Sequence, residues 1–188
     1  MRLVRCIAVF LLVALLLSVS GTAQAAKQGG TQVYLLRGIF NVSVGLDALA
    51  AKLARRGIRS AVYGHGDAFA VAEQAMRDYR SGRVRSIILV GHSLGAGAAI
   101  TVADRLNQAG IPVTLIVSLD PVGGAAVPAN VRRVVNFYVS RSGIPVAAAP
   151  GFRGSLRNID MQNTGVDHMT IQSLDSMHQR IIGAITGG

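Results

Sequence analysis

Gly91-His92-Ser93-Leu94-Gly95 fits the pattern G-x-S-x-G and sets one serine hydroxyl between two glycines. At its free pKa that hydroxyl is a poor nucleophile; it needs a base in hydrogen-bond reach and a group to orient the base. The pattern is informative here because of what flanks it. Ile87-Ile88-Leu89-Val90 precede it as four apolar residues, three of them β-branched, which suits a strand buried on both faces. Small residues follow it into an amphipathic helix. Strand, tight turn and helix push the hydroxyl out above a sheet and bring the helix's free N–H groups to it. Ser93 is the candidate nucleophile and the Leu94 N–H a candidate oxyanion donor. The bland alternative is an inert Gly/Ser turn.

The elements that position this turn alternate along the chain. Residues 32–36 read as a first buried strand. Leu46, Leu49, Ala50 and Leu53 recur at helical spacing before Gly57. Residues 59–63 read as a second strand and 68–79 as a second helix. The strand before Ser93 comes third, with its helix running to about residue 108. Residues 112–119 and 131–139 read as a fourth and fifth strand. A Gly/Pro/Ser/Asn-rich segment follows, with one more short strand near 156–159, and residues 170–185 form a last helix. Alternating strands and helices predict an α/β fold: a mostly parallel sheet of about five or six strands with helices on both faces. Ligands bind such sheets beyond the C-terminal ends of the strands. Those ends carry Gly38-Ile39-Phe40, then His65 and Asp67, then Ser93, then Asp120, then Ser140-Arg141, with Asp167-His168 before the last helix.

A hydroxyl, carboxylates and imidazoles are thus expected on one edge. His168, on a loop after a polar segment, is the leading base and His65 its rival. His92, inside the turn, should point away from Ser93 and read as structural. His178 lies mid-helix as a packing or surface residue. Asp120, ending an apolar strand and fixed by Pro121, is the leading orienting acid. Asp160 is the runner-up, and Asp167 is too near His168 in sequence to orient it easily. A second oxyanion donor should come from the Ile39 or Phe40 N–H after the first strand. His65 and Asp67 alone do not make a metal site, since two ligands are too few, and no metal or cofactor is expected.

Composition bounds the rest. The chain has 188 residues, enough for one domain. Arg2 and Arg5, an apolar run from Cys6 to Val19 and Ala23-Gln24-Ala25 together read as a signal peptide over residues 1–25, leaving a domain over 26–188. The apolar run is shorter than the roughly 18–20 residues a spanning helix needs. The expectation is an exported, soluble protein, periplasmic or extracellular. The single cysteine, Cys6, falls in the signal, which excludes disulfides and thiolate chemistry from the mature chain. The formal charge is +10, and losing Arg2 and Arg5 with the signal leaves +8. That balance favours anionic partners, such as a membrane surface. Nucleic acid is not expected, because the basic residues are scattered without interleaved aromatics.

Taken together, these segments resemble the α/β-hydrolase superfamily, and within it the small secreted lipase-, cutinase- and thioesterase-like serine hydrolases. Gly91-His92-Ser93-Leu94-Gly95-Ala96 is similar to a G-H-S-L-G-[GA] elbow, Leu119-Asp120-Pro121-Val122 to an acid-bearing strand end, and Asp167-His168-Met169-Thr170-Ile171 to a histidine-bearing segment. The resemblance spans essentially the whole mature chain. It implies a single-domain three-layer sandwich and a Ser93-Asp120-His168 triad in the family's chain order. It also implies an ester or thioester substrate, small or lipid. Three departures stand out. Many members carry the acid one strand later, where this chain has Val139-Ser140-Arg141. Arg37-Gly38-Ile39-Phe40 is a loose match to an H-G-G oxyanion loop. No insertion is available for a large lid, so an open site is expected. The competing function is a non-catalytic, hydrolase-like protein that binds an anionic envelope or lipid component.

Overall fold

The structure, a computed structural model, describes residues 29–187. The signal peptide expected over residues 1–25 lies outside the described residues.

Six strands form one parallel sheet. They are β1 (Gly30–Leu36), β2 (Arg59–Tyr63), β3 (Val84–His92), β4 (Leu115–Leu119), β6 (Arg133–Tyr138) and β8 (Ser155–Asp160), in the order β2-β1-β3-β4-β6-β8. β5 (Ala126–Val127) and β7 (Ala147–Ala148) pair separately. The apolar run in β3 is buried on both sides because helices cover both faces. Ile87 and Leu89 point to one face, Ile88 and Val90 to the other. On the first face lie α2 (Ala68–Arg80), through Val71, Ala72 and Ala75, and α3 (Leu94–Gln108), through Ala99, Val102 and Leu106. On the second lie α1 (Gly45–Ala54), through Leu46, Leu49 and Leu53, and α4 (Asp175–Thr186), through Met177, Ile181 and Ile182. Burial of each Val, Leu, Ile and Met among these stabilises the fold by about 1.5–3 kcal/mol relative to exposure. The three-layer α/β sandwich read from the sequence is the fold observed.

Element ends differ from the sequence reading where backbone chemistry intervenes. The sequence pattern starts the fourth strand at Pro112, but the ladder starts at Leu115, with Val113 making only an isolated bridge to Val131. Proline has no N–H to donate there. The last helix starts at Asp175 rather than Thr170. Leu174 is extended (φ −63°, ψ 135°), and residues 170–173 form turns instead. The short strand expected near 156–159 joins the sheet beside β6 as an edge strand.

The sheet and α3 meet with almost no room. A methyl group on Gly91 would stand 2.7 Å from the Ala96 Cα, and one on Gly95 would stand 2.6 Å from the Arg37 carbonyl oxygen. Around Gly97, two residues on, nothing lies within 4 Å. Gly95→Ala should therefore lower stability by about 3 kcal/mol, a fall in Tm of roughly 6–12 °C. Gly97→Ala should leave stability unchanged or raise it by about 0.5–1 kcal/mol. Thermal unfolding of the two variants checks the pair.

Candidate active site

Ser93 stands between the last residue of β3 and the first of α3, at φ 57° and ψ −121°. A non-glycine residue adopts that geometry only when its surroundings impose it. Here the close passage of Gly91 and Gly95 leaves the chain no wider path, and the Ser93 N–H is tied to the Leu119 carbonyl at 2.9 Å.

Asp120, directly after β4, is also at positive φ (45°) and is fully buried. Its carboxylate is held from three sides. Oδ1 accepts the Val139 N–H at 2.6 Å, and Oδ2 accepts the Ser142 hydroxyl at 2.7 Å. Oδ2 also lies 2.6 Å from His168 Nδ1. The other ring nitrogen, His168 Nε2, lies 3.1 Å from Ser93 Oγ. With an acceptor-only carboxylate at Nδ1, the proton belongs on Nδ1 and the lone pair of Nε2 faces the serine hydroxyl. Carboxylate, imidazole and hydroxyl thus form one hydrogen-bonded line.

The loop that carries His168 is fixed independently. Asp167 Oδ1 accepts the Met169 and Thr170 N–H groups at 2.9 and 2.8 Å. These bonds hold the Asp167 carboxyl below its usual range. Behind the ring sits His92, 2 % exposed, its centroid 4.9 Å from that of His168. His92 Nε2 donates to the His168 carbonyl at 2.8 Å, so Nδ1 carries the lone pair and accepts the Ser43 hydroxyl at 2.6 Å. Ser43 Oγ in turn accepts the Gly38 N–H at 2.9 Å. One buried chain therefore ties the loop after β1, the Ser93 turn and the His168 loop together, and every polar atom in it has a partner. Burial pulls the His92 imidazole down to about 4, so it stays neutral.

The remaining candidates sit elsewhere. His65 Nδ1 donates to the Gly38 carbonyl at 3.1 Å and so supports the loop after β1 rather than facing Ser93. Asp160 ends β8 and accepts the Gln162 and Ser140 N–H groups at 2.9 and 3.3 Å. His178 is buried between the Gln172 carbonyl (2.9 Å) and Lys52 Nζ (2.8 Å). Among the described residues no cluster of three or more His, Cys, Asp or Glu is placed to hold a metal ion. Asp67 caps the Gly64 N–H at 2.9 Å. Ser43 and Ser142 were not singled out in the sequence. Their partners lie 49 and 22 residues away, so no local pattern marks them.

The two expected oxyanion elements flank Ser93. A methyl group on Gly38 would touch Ser93 Cβ at 3.1 Å, so the loop after β1 runs directly against the nucleophile. Ile39–Asn41 form a single tight turn, with Phe40 and Asn41 at positive φ. Among the described residues the N–H groups of Ile39, Phe40 and Leu94 have no hydrogen-bond acceptor. The Gly38 N–H, by contrast, is taken by Ser43. Ser93 itself is 5 % exposed in its tight turn, while the His168 side chain is 29 % exposed and the neighbouring Phe40 86 %. A groove of about 770 Å³ between α1 and β2, floored by Ala50, Ala54 and Ile58, holds none of these residues.

No family model matches the chain, and no curated protein sequence matches it. Solved structures do. A Xanthomonas campestris pv. campestris protein assigned to the α/β hydrolase superfamily superposes with a TM-score of 0.50 at 15 % identity, over 84 % of this chain and 99 % of that one. The RedJ thioesterase of the prodiginine pathway in Streptomyces coelicolor superposes with a TM-score of 0.53 at 12 % identity, over 86 % of this chain and 87 % of that one. This chain has the α/β-hydrolase fold. Within that fold Ser93 occupies the turn after the central strand β3, Asp120 the end of β4 and His168 the loop before α4.

Removing His92 would leave the Ser43 hydroxyl proton and the His168 carbonyl without partners inside the protein. His92→Ala should cost about 2–4 kcal/mol in chemical denaturation. The pH dependence carries a signature of the same residue. Below about pH 6.5 the unfolded chain protonates His92, while the folded protein refuses that proton until about pH 4. Stability therefore falls as pH drops through that window, by about 3 kcal/mol in full. His92→Gln should flatten this limb. Burial also pulls His178 downward, so part of the slope remains.

Proposed function

We propose that the protein is a serine hydrolase that cleaves carboxylic esters or thioesters through Ser93, His168 and Asp120. The observation that carries this reading is the unbroken line from Asp120 Oδ2 through His168 to Ser93 Oγ, at 2.6 and 3.1 Å. The fold shared with hydrolases and with a thioesterase supports it.

The chemistry follows from the line. Ser93 Oγ attacks the carbonyl carbon as His168 Nε2 takes its proton. Asp120, already saturated by Val139 and Ser142, stabilises the imidazolium and keeps the ring in the required tautomer. The carbonyl oxygen gains a full negative charge, which the free N–H groups of Leu94 and of Ile39 or Phe40 are available to bind. Leu94 adds the positive end of α3, since its N–H belongs to the unpaired first turn. His168 then gives its proton to the departing alkoxide or thiolate, leaving an acyl group on Ser93. Water attacks that acyl-enzyme with His168 again as base, and the acid departs with Ser93 restored.

The segment over residues 1–25 supports export as part of this reading, on its sequence alone. Hydrolysis then takes place outside the cytoplasm.

Turnover of p-nitrophenyl esters should fall roughly 10⁴–10⁶-fold in Ser93→Ala and roughly 10⁴-fold in Asp120→Asn. A fluorophosphonate should label wild type and leave Ser93→Ala unlabelled. A folded wild type that neither turns over any ester or thioester nor takes the label would transfer the assignment to a non-catalytic binding protein.

A further inference from the structure

Where the sheet runs out at β8, three arginines open onto one cleft. On the face that α4 covers, β8 presents Arg157 and Ile159, which pair with Val135 and Phe137 of β6. Arg133 stands on the same face where β6 begins. Above the strands, Arg180 and Gly183 share one side of α4, at i and i+3. Between helix and strands lies a cleft of about 280 Å³, lined by Val135, Phe137 and Ile159 and by Arg133, Arg157 and Arg180. Val135 and Phe137 are buried, so they form its floor. Gly183 leaves the helix side open: a methyl group there would meet nothing within 4 Å. Because Arg133 opens β6 and α4 finishes beside it, the cleft lies toward the N-terminal ends of the strands, away from Ser93.

Among the described residues none of the three guanidinium groups meets a carboxylate. The nine acids of the chain are all placed elsewhere. Glu73, Asp78 and Asp104 sit on α2 and α3, across the sheet. Asp47, Asp67, Asp120 and Asp167 stand at the end that carries Ser93. Asp160 ends β8 on the side opposite Arg157 and Ile159, and Asp175 is taken by Lys52. Arg133 gives one N–H to the Ala184 carbonyl. Three like charges around one cleft repel one another and gain nothing in folding. A cleft lined by one sign of charge over apolar walls focuses its field on what enters it. Guanidinium groups match the oxygens of an oxyanion through paired N–H donors. Three of them balance a phosphate dianion better than a monoanion, and the floor offers contact to an apolar body. The volume is at the lower end of small-molecule sites, roughly 300–1,000 Å³, which limits that body to about one ring or a short chain.

We propose that this cleft is a second ligand site, which binds a small phosphomonoester. Arg133, Arg157 and Arg180 hold the phosphate, and Val135, Phe137 and Ile159 carry the apolar body. The site is separate from Ser93 and does not rest on the serine-hydrolase reading.

The test is titration calorimetry with phenyl phosphate, inorganic phosphate and benzoate at about 0.15 M salt, where diffuse surface charge is screened. Two variants separate the site from general charge. Arg157→Gln with Arg180→Gln removes two exposed guanidinium groups, and Gly183→Leu fills the cleft while leaving every charge in place. Phenyl phosphate should bind wild type one to one, about threefold or more tightly than inorganic phosphate or benzoate, and each variant should weaken it at least about tenfold. Thermal unfolding confirms that both variants are folded, and turnover of p-nitrophenyl acetate should be unchanged in both. Equal binding by wild type and both variants overturns the proposal. So does binding that the arginine variant loses and Gly183→Leu keeps, which would be diffuse positive charge rather than a site. Binding of phosphatidate vesicles without binding of phenyl phosphate would assign the arginines to a lipid headgroup and also overturn it. If Ser93 takes no fluorophosphonate yet phenyl phosphate binds and both variants lose it, the cleft stands and the hydrolase reading falls.

Discussion

Two glycines and one peptide segment set the geometry from which the site follows. Gly91, at the end of β3, and Gly95, in the first turn of α3, pass each other and the Leu36–Arg37 backbone at distances that admit no side chain. With those approaches closed, the chain turns from strand to helix in one residue, and Ser93 takes the positive φ that results. The same contact delivers the loop after β1 to the nucleophile, because the carbonyls that crowd Gly95 belong to the residues just before Gly38. Nucleophile position, the free amides of α3 and the neighbouring Ile39 and Phe40 amides are therefore consequences of one close packing. A strained residue at a site is maintained only when its surroundings over-determine it, and here backbone from three elements does so.

A second constraint operates at longer range. Gly38 and Ser43 after β1, His92 at the end of β3 and His168 on the loop before α4 have no covalent reason to hold a common arrangement. The chain of hydrogen bonds among them supplies it, since an unpaired polar group in that interior would cost about 1–3 kcal/mol. Two adjacent histidines thus have opposite tasks. His168, with a partly exposed ring, has one nitrogen left for Ser93, whereas His92 has both nitrogens committed and is kept neutral by burial. Asp120 is treated similarly. The segment following β6 folds back so that the Val139 N–H and the Ser142 hydroxyl close around its carboxylate. The end of that later strand lacks an acid of its own, yet it furnishes the donors that hold the acid of β4.

Much of this was legible from residue order because the signals were local. Apolar runs with β-branched residues gave the strands, glycine and basic residues marked the helix ends, and G-x-S-x-G between a strand and a helix gave the turn. Ser93 and Asp120 could be named because each directly follows a strand, and His168 because it comes on the last loop in the chain order the resemblance implies. What escaped was contact between segments distant in sequence. Ser43 lies 49 residues from His92, and nothing around either residue announces the other. The start of the last helix escaped because Leu174 continues the apolar periodicity while its backbone is extended.

The charges of the chain are segregated along the sheet axis, and the fold explains why. All helices run against the parallel strands, so their N-terminal ends share the edge that carries Ser93. Acidic residues are favoured at that end of a helix and basic ones at the other, as Asp47 and Asp175 in the first turns and Arg77 and Arg80 in the last turn of α2 illustrate. The segregation of charge along the sheet axis therefore has a sufficient cause in helix stability, and it leaves the carboxylates on the edge that carries Ser93 whatever the chain's total charge.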